Sequence, residues 1–280
     1  MQPEAILELV ANGVDLSATQ TQNLLAYILD TSTSDSFVGA ALMGLRTKGE
    51  SADELQGAVD AMLDCCLEVL SVPEGAVDTC GTGGDNSGTF NISTAAALVV
   101  AACGVPVVKH GNRSVSSQSG SADVIEELNI PFHAPNNDMR SPFVFCFAPH
   151  FHPRMKRVGP IRKQLKLRTL FNLIGPLANP ARPDFQLVGV ADKSKLGIYA
   201  QALQKLGRRR AFVVHGEPGV DEATQAGDFT VLDVTADSIV ETKFSATAFG
   251  LPLCELSDLK GGCAIENAAD ICQIFEGTPG

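Results

Sequence analysis

From residue 76 onward, short apolar segments alternate with helix-like segments, and this alternation limits the folds available to the chain. The segments that read as strands are Ala76–Thr79, Val105–His110, Phe143–Phe147, Gln186–Ala191, Ala211–His215 and Phe229–Val234. The clearest helix-like segments between them are Thr94–Cys103, Ala122–Leu128 and Lys193–Leu206. Alternating strands and helices predict an α/β domain with a mainly parallel central sheet.

The residues before this alternation read as helices. Ser17–Gln20 (SATQ) and Ser51–Glu54 (SADE) are capping boxes, each followed by leucines with helical spacing, and Gly49 ends the helix between them. Pro and Gly interrupt the periodicity within Ser71–Gly75. We therefore predict a small helical domain over residues 1–72 and an α/β domain over residues 73–280.

The charge balance argues against a general nucleic-acid-binding protein. The chain has 32 acidic and 21 basic residues and a net charge of -11, which repels a phosphate backbone. A locally basic pocket for a small phosphorylated substrate remains compatible with this charge. The apolar run Ala95–Val108 is broken by Gly104 and Pro106, so we expect no membrane span and no membrane partner.

The cysteines indicate a reducing compartment rather than a disulfide framework. The chain has 8 cysteines, no signal peptide opens it, and Cys103 and Cys146 lie in apolar segments. This pattern predicts reduced core cysteines and a cytoplasmic protein. Cys65 and Cys66 are adjacent and no C-x-x-C pair occurs, which argues against a zinc site.

A glycine-rich segment follows the first predicted strand. Residues 78–85 read DTCGTGGD and lead through NSGTF into the helix that begins near NIST. Glycines let the backbone approach phosphate closely, and the helix N-terminus favours negative charge. A Walker loop would require Gly-Lys-Ser/Thr, and a dinucleotide loop would require glycine at Asn86. Taken alone, the segment could also be an ordinary tight turn.

A second polar segment follows the next predicted strand. Residues 109–117 read KHGNRSVSS, and residues 120–126 then begin a helix. Lys109 and Arg113 could be solvated surface charges, and Asp123 could serve only the first turn of that helix. Because two such segments follow neighbouring strands, a ligand site at this edge of the sheet is the better interpretation.

Several motifs together resemble one family. The segments GTGGD, NIST, KHGNRSVSS and GSADVIEEL, the stretch 147–181 (FAPHFHPRMKRVGPIRKQLKLRTLFNLIGPLANPA) and the run VVHGEPGVDEAT at 213–224 occur in order. They are similar to the signatures of the anthranilate phosphoribosyltransferases, and the resemblance extends from about Ala76 to about Val234. It implies a fold of the nucleoside phosphorylase/phosphoribosyltransferase type, with the active site in a cleft between the two domains.

The resemblance also implies an activity and a set of site residues. The family joins 5-phosphoribosyl 1-diphosphate to anthranilate, with Mg²⁺, in tryptophan biosynthesis. Asn112 would contact the acceptor amine, and Arg162 would bind the anthranilate carboxylate. Magnesium would be held by Ser93, Asp221 and Glu222. The residues implied for the phosphoribosyl substrate are Gly81, Gly83, Gly84, Asp85, Thr89, Asn91, Ser93, Thr94, Lys109, Ser117 and Ser121.

These residue types suit the implied chemistry. Diphosphate leaves with a growing negative charge, which Mg²⁺, hard oxygen ligands and backbone amides stabilise. An aryl amine is already a nucleophile, so no histidine is assigned as acid or base. Taken alone, Arg162 would be a helix-surface charge and Asp221-Glu222 a solvated turn. The resemblance further implies a homodimer formed through the helical domain, with part of 152–181 packing onto that domain.

Some features depart from the family. Val220 stands where leucine is frequent and Arg154 stands where alanine is usual. The family continues beyond Gly280 with further helices. The last helix-like segment, Ala264–Phe275, would cover only part of one sheet face, so we expect a folded but less stable chain than an extended version. Two other functions remain open: a pyrimidine nucleoside phosphorylase, and a non-catalytic homologue that acts as a binding protein, for instance for nucleic acid.

Overall fold

The N-terminal part of the protein is a helical bundle. The structure is a computed structural model that describes residues 1–114, 118–133 and 141–278. Both predicted capping boxes are present: the backbone amide of Gln20 donates to Ser17 Oγ, and that of Glu54 donates to Ser51 Oγ, each at 3.3 Å. The third helix ends at Gly49, as predicted. The bundle helices are α1 (Pro3–Ala11), α2 (Ala18–Ile28), α3 (Asp35–Lys48) and α4 (Ala52–Asp64).

The rest of the chain is built on one mixed sheet. Within the described residues it has eight strands in the order β3-β4-β2-β1-β5-β6-β7-β8. Strands β1 to β6 pair in parallel, and β7 pairs antiparallel with both β6 and β8. The predicted fold class is confirmed. The strands are β1 (Val77–Gly81), β2 (Val107–Gly111), β3 (Phe132–His133), β4 (Phe143–Phe147), β5 (Phe185–Gly189), β6 (Arg210–Gly216), β7 (Asp228–Thr235) and β8 (Ile239–Ser245).

Two strands have no counterpart among the predicted ones. Strand β8 is an edge strand whose first five residues are exposed, so its sequence IVETKFS contains no continuous apolar run. Strand β3 has two residues and, among the described strands, pairs with β4 alone. Neither segment has the buried apolar pattern by which the other strands were recognised.

Helices cover the sheet and connect it to the bundle. Helix α10 packs against α4 on one side and against β6 and β7 on the other, and both α8 and α9 contact α3. The remaining helices are α5 (Ile92–Ala102), α6 (Ser121–Glu127), α7 (Ala148–Phe151), α8 (Gly159–Leu165), α9 (Leu170–Leu173), α10 (Leu196–Lys205) and α11 (Ala264–Phe275). No helix in the described parts of the chain combines the length and apolar character needed to cross a membrane.

The largest apolar core lies between the bundle and the sheet. Leu24 and Leu55 of the bundle belong to the same buried cluster as Tyr199 of α10 and Val213 of β6. Alternate residues of β6 point the other way: Phe212 borders an apolar groove of about 550 Å³ on the opposite face of the sheet. The two faces of this part of the sheet therefore differ, one packed under α10 and the other open.

The cysteine prediction is partly wrong. Cys146 is buried, but Cys103 is exposed because it caps the C-terminus of α5, where Gly104 turns the chain away with a φ of 86°. All eight cysteines are free thiols.

Candidate active site

Three parallel strands end side by side at the glycine-rich loop. Strand β1 ends at Gly81 and β5 at Gly189, and these two glycines are paired in register. Strand β2, on the other side of β1, ends at Gly111. In open α/β sheets, ligands bind at the carboxyl ends of the strands. The structure thus brings both polar segments that the sequence singled out to one edge of the sheet.

The loop after β1 contains several residues whose backbone has a left-handed conformation. The φ angles are 63° at Gly83, 74° at Gly84, 57° at Asn86 and 68° at Gly88. Glycine adopts such angles without steric cost, and successive residues of this kind turn backbone N–H groups into a concave, anion-binding surface. This conformation supports the phosphate-loop interpretation over an ordinary tight turn.

Asp221 lies directly against this loop. Its Oδ2 atom accepts a hydrogen bond from the Gly83 N–H at 2.7 Å. A Cβ atom at Gly81 would lie 2.3 Å from the same oxygen, and one at Gly189 would lie 1.6 Å from the Asp221 carbonyl oxygen. Both strand ends must therefore be glycine for the loop that carries Asp221 and Glu222, called the acidic loop below, to approach this closely.

The acidic loop carries more negative charge than its surroundings neutralise. Burial and the neighbouring Asp85 carboxylate raise the pKa of Asp221, and burial together with Asp221 raises the pKa of Glu222 to about 8. The Oδ2 atom of Asp85 is buried without a hydrogen-bond partner in the described parts of the chain. A bound cation would relieve this repulsion, so these residues fit a divalent metal.

The same side chains do not form a complete metal cage. In the described ranges, no group of three or more His, Cys, Asp or Glu side chains is arranged to hold an ion. Mg²⁺ in enzymes is commonly bound by one or two carboxylates together with substrate phosphates and water. The arrangement is therefore suited to a metal that arrives with a phosphorylated substrate.

Lys109 places a positive charge beneath the loop. Its side chain is buried, and its Nζ atom donates to the carbonyl oxygen of Thr79 and, at 3.3 Å, to Ser93 Oγ. It also opposes the rise in the pKa of Glu222. By contrast, Arg113 forms ion pairs with Asp123 at 2.9 Å and with Glu126 at 2.7 Å, so its charge is neutralised locally.

The other predicted loop residues lie just before α5 or in its first turn. Thr89 Oγ1 is 3.2 Å from Ser87 Oγ, and the Thr94 hydroxyl is buried with no partner among the described residues. Asn91 Oδ1 accepts from Asn267 of α11 at 2.8 Å. Sequence reasoning gave Asn267 no role, because its contact is with a residue far away in the chain.

Asn112, predicted to contact the acceptor amine, and Ser121, predicted to contact the phosphoribosyl substrate, both follow strand β2. Asn112 is exposed, and its Oδ1 atom accepts from the Arg113 N–H at 2.8 Å. Ser121 begins α6, and its Oγ atom would lie 2.3 Å from a Cβ atom at Gly111. Ser117, also predicted as a substrate contact, lies outside the described residues.

Arg162 is a half-buried guanidinium on α8. It lies over the ring of Phe171 at 5.6 Å, and burial lowers its pKa. In the chain as described it has no ion pair and no side-chain hydrogen bond. An unpaired guanidinium can bind a carboxylate through two parallel hydrogen bonds.

His110 and His152 are buried neighbours with ring centroids 5.3 Å apart. Burial, and then the adjacent His152, lower the pKa of His110 to about 3, and burial lowers that of His152. Each ring donates one N–H to a backbone carbonyl oxygen: His110 Nδ1 to Gly175 at 3.3 Å, and His152 Nε2 to Ala178 at 2.9 Å. The lowered pKa values favour neutral rings, which agrees with the expectation that no histidine acts as acid or base.

Arg168 is a residue of this site that sequence reasoning did not identify. Its guanidinium donates to the carbonyl oxygens of Gly83 at 3.1 Å and of Gly84 at 3.3 Å. The backbone of Arg168 in turn accepts a hydrogen bond from Arg46 of α3. No local sequence pattern marks these contacts, because both partners are distant in the chain.

The chain is similar in sequence to known proteins of one family. The family described as glycosyl transferase family, a/b domain, matches residues 73–280, and its helical bundle domain matches residues 4–66. Anthranilate phosphoribosyltransferase of Idiomarina loihiensis is 43% identical over 276 residues, which is 97% of this chain and 82% of that protein. The protein of that name from Rhodopseudomonas palustris is 42% identical over 99% of this chain and 83% of its own length.

Solved structures agree with the sequence relatives. Anthranilate phosphoribosyltransferase of Thermus thermophilus superposes with a TM-score of 0.91 at 36% identity, covering 98% of this chain and 83% of that one. The Saccharomyces cerevisiae protein in complex with PRPP and Mg superposes with a TM-score of 0.86 at 29% identity, covering 97% and 80%. The chain belongs to the anthranilate phosphoribosyltransferase family.

Proposed function

We propose that this chain transfers the phosphoribosyl group of 5-phosphoribosyl 1-diphosphate to anthranilate, giving N-(5-phosphoribosyl)anthranilate and diphosphate in tryptophan biosynthesis. The observation that carries the proposal is the contact of Asp221 with the left-handed glycine loop at the ends of β1 and β5. It places backbone amides and carboxylates at one point, as binding of a metal diphosphate requires.

We assign the loop and Lys109 to the phosphoribosyl substrate. Diphosphate leaves with developing negative charge, and amides already pointing inward stabilise that charge without having to reorganise. Lys109 is buried beside Ser93, so its positive charge is little screened. The substrate contacts that we propose are Gly81, Gly83, Gly84, Asp85, Thr89, Asn91, Ser93, Thr94, Lys109, Ser117 and Ser121.

We assign Ser93, Asp221 and Glu222 to Mg²⁺. The raised pKa values of both carboxyl groups and the unpartnered Asp85 oxygen support a cation at this point. Bound Mg²⁺ supplies charge neutralisation on the diphosphate oxygens.

We assign Arg162 to the anthranilate carboxylate and Asn112 to the amine. The aryl amine is nucleophilic, so the protein needs to hold it near C1 rather than deprotonate it first. Orienting two reactants in this way contributes roughly 7–11 kcal/mol to catalysis. The unpaired, half-buried state of Arg162 supports its role, since a carboxylate would complete its hydrogen bonding.

A fluorescence assay tests the proposal. Protein, Mg²⁺ and 5-phosphoribosyl 1-diphosphate are mixed with anthranilate, and loss of anthranilate fluorescence is followed with diphosphate release. We expect both signals to change in equal amounts and only when all components are present. Thymidine with phosphate should give no thymine, and a gel shift with nucleic acid at physiological salt should show no complex. Thymine release or a shifted band without anthranilate turnover would favour the corresponding alternative.

We also propose a cytoplasmic homodimer with a helical domain over residues 1–72 and an α/β domain over residues 73–280. The free thiols support a reducing compartment, and family membership supports dimerisation through the helical domain. Light scattering at micromolar concentration should give about twice the 29.4 kDa chain mass. A monomer at that concentration would contradict the dimer.

A further inference from the structure

We propose that Arg168 is a positioning residue that sets the direction of the loop amides facing the diphosphate. The proposal rests on the function proposed above, because it gives those amides a ligand. Arg168 is exposed and has no ion pair with any residue that the structure describes. Its polar contacts are with main-chain carbonyls of the glycine loop, so it is not part of a surface salt bridge.

Peptide geometry links these carbonyls to the amides. The only cis peptide in the described ranges is Glu217-Pro218, so the peptides that follow Gly83 and Gly84 are trans. In a planar trans peptide, the C=O and N–H groups point in opposite directions. Arg168 draws the carbonyl oxygens of Gly83 and Gly84 toward itself. The N–H groups of Gly84 and Asp85 must then point to the other side of the loop.

Those two amides are available to a ligand. Neither has a hydrogen-bond partner in the described part of the chain. The preceding N–H of Gly83 is already used by Asp221 at 2.7 Å. The amides that Arg168 orients are therefore the ones left over for phosphate oxygens.

Little else fixes this part of the loop. The Gly83 carbonyl oxygen also accepts from Thr82 Oγ1, but at 3.4 Å, and Arg168 is the partner that the structure gives for the Gly84 carbonyl oxygen. A cavity of about 310 Å³ behind the loop is bordered by Thr82, Arg168 and Arg46. Both loop glycines have left-handed angles and could take other conformations. Without the guanidinium, these peptides are expected to rotate.

Arg46 extends this support to the helical bundle. Its guanidinium donates to the backbone carbonyl oxygen of Arg168, which immediately precedes the N-cap of α9. Helix α3 thus holds the backbone from which the Arg168 side chain reaches the loop. Loss of Arg46 is expected to weaken the same function less, because the Arg168 guanidinium remains.

The test compares Arg168→Met with Lys163→Met. Lys163 is exposed on α8, close in sequence, and its replacement removes the same charge without touching the loop. Hydrogen exchange of the peptide covering residues 81–90 is measured in the absence of substrate. We expect faster exchange in Arg168→Met only. Binding of inorganic diphosphate with Mg²⁺ is measured by calorimetry, and its Kd should rise about tenfold or more in Arg168→Met.

Turnover gives a third measurement. In Arg168→Met, the KM for 5-phosphoribosyl 1-diphosphate should rise about tenfold while the KM for anthranilate stays within about twofold. Arg168→Lys should recover part of the affinity for 5-phosphoribosyl 1-diphosphate. A lysine ammonium group can donate to one of the two carbonyl oxygens, whereas the planar guanidinium donates to both. If Arg168→Met melts at a much lower temperature, Arg168→Lys and Arg46→Met replace it in all three measurements.

Unchanged loop exchange, or equal Kd changes in Arg168→Met and Lys163→Met, would overturn the positioning role. Equal effects on both KM values would indicate a general structural defect and would also overturn it. Exchange and diphosphate binding do not require the transfer reaction. A wild-type protein without anthranilate turnover would therefore refute the proposed function while these two measurements still decide the role of Arg168.

Discussion

The Oδ2 atom of Asp221 accepts a hydrogen bond from the Gly83 N–H at 2.7 Å, which joins two loops 138 residues apart in the sequence. The contact is possible because the strand ends beside it, Gly81 and Gly189, have no side chains. A side chain at either glycine would therefore shift the loop that carries Asp221 relative to the glycine-rich loop.

Gly81→Ala should lower both the turnover and the stability of the protein. The new Cβ atom would lie 2.3 Å from Asp221 Oδ2 and would displace that carboxylate. We expect a loss in kcat/KM of about 100-fold, the effect of a displacement of about 1 Å at a reacting centre. Steric strain of this kind costs roughly 1–3 kcal/mol of unfolding free energy. Steady-state kinetics and urea unfolding measure the two effects.

Gly197→Ala is the matched control. Gly197 lies in α10, and an added Cβ there meets no atom within 4 Å. Alanine should stabilise this helix by about 0.5–1 kcal/mol and leave turnover unchanged. If Gly81→Ala kept full activity, the close approach of Asp221 would have no catalytic importance.

Replacing Asp221 and Glu222 together with alanine should remove most turnover. The diphosphate would leave without the metal charge that these carboxylates hold in our proposal, and removal of Mg²⁺ by a chelator should have the same effect on the wild-type protein. Thermal melts provide a measurement independent of activity. Mg²⁺ with diphosphate should raise the Tm of the wild-type protein but not that of the double variant. A double variant with wild-type activity would refute the metal assignment.

Arg162→Ala should raise the KM for anthranilate more than that for 5-phosphoribosyl 1-diphosphate. A charged hydrogen bond to a carboxylate contributes about 1.5–3 kcal/mol, which corresponds to roughly 10- to 100-fold. Arg162→Lys should restore only part of this affinity, since lysine cannot form two parallel hydrogen bonds. Lys163→Ala on the same helix is the control. Equal changes in both KM values would show that Arg162 has another role.

Local sequence signals account for much of the fold but for less of the site. The capping boxes at Ser17 and Ser51 are short-range patterns, and both helices begin where the sequence predicts. The glycine loop could be placed at a strand end because parallel strands share that edge. The contacts of Arg168 with the loop and of Asn267 with Asn91 depend on tertiary packing, and no spacing in the sequence encodes them. The exposure of Cys103 was missed for a similar reason, since an apolar segment does not reveal which face a helix end presents.

Protein stability should fall as the pH is lowered below 6.5, partly through His110. The pKa of His110 is about 3 in the folded protein and 6.5 for an unperturbed histidine. The unfolded chain therefore binds a proton that the folded chain does not, so the stabilisation present above pH 6.5 is lost as the pH falls toward 3. Between pH 7 and pH 5.5, His110 should lower the free energy of unfolding by about 1 kcal/mol.

Urea unfolding of His110→Gln at these two pH values tests this expectation. The variant should lose about 1 kcal/mol less than the wild-type protein between pH 7 and 5.5. His150→Gln, at an exposed position, is the control for replacing a histidine by glutamine. A His110→Gln protein with an unchanged pH dependence would show that folding does not lower the pKa of His110.

The apolar groove on the open face of the sheet should bind an apolar dye. Its lining includes Phe212 of β6 and Leu251, which are 38% and 49% exposed. Exposed apolar surface of this extent is unusual on a folded protein and enhances the fluorescence of anilinonaphthalene sulfonate.

Leu251→Asp places a charge in the groove and should lower dye fluorescence by about half, with a stability change within about 0.5 kcal/mol for a surface position. Ile265→Asp changes an equally apolar residue on α11, 65% exposed and outside the groove, and should leave the fluorescence unchanged. Equal fluorescence of the two variants would place the dye elsewhere on the protein.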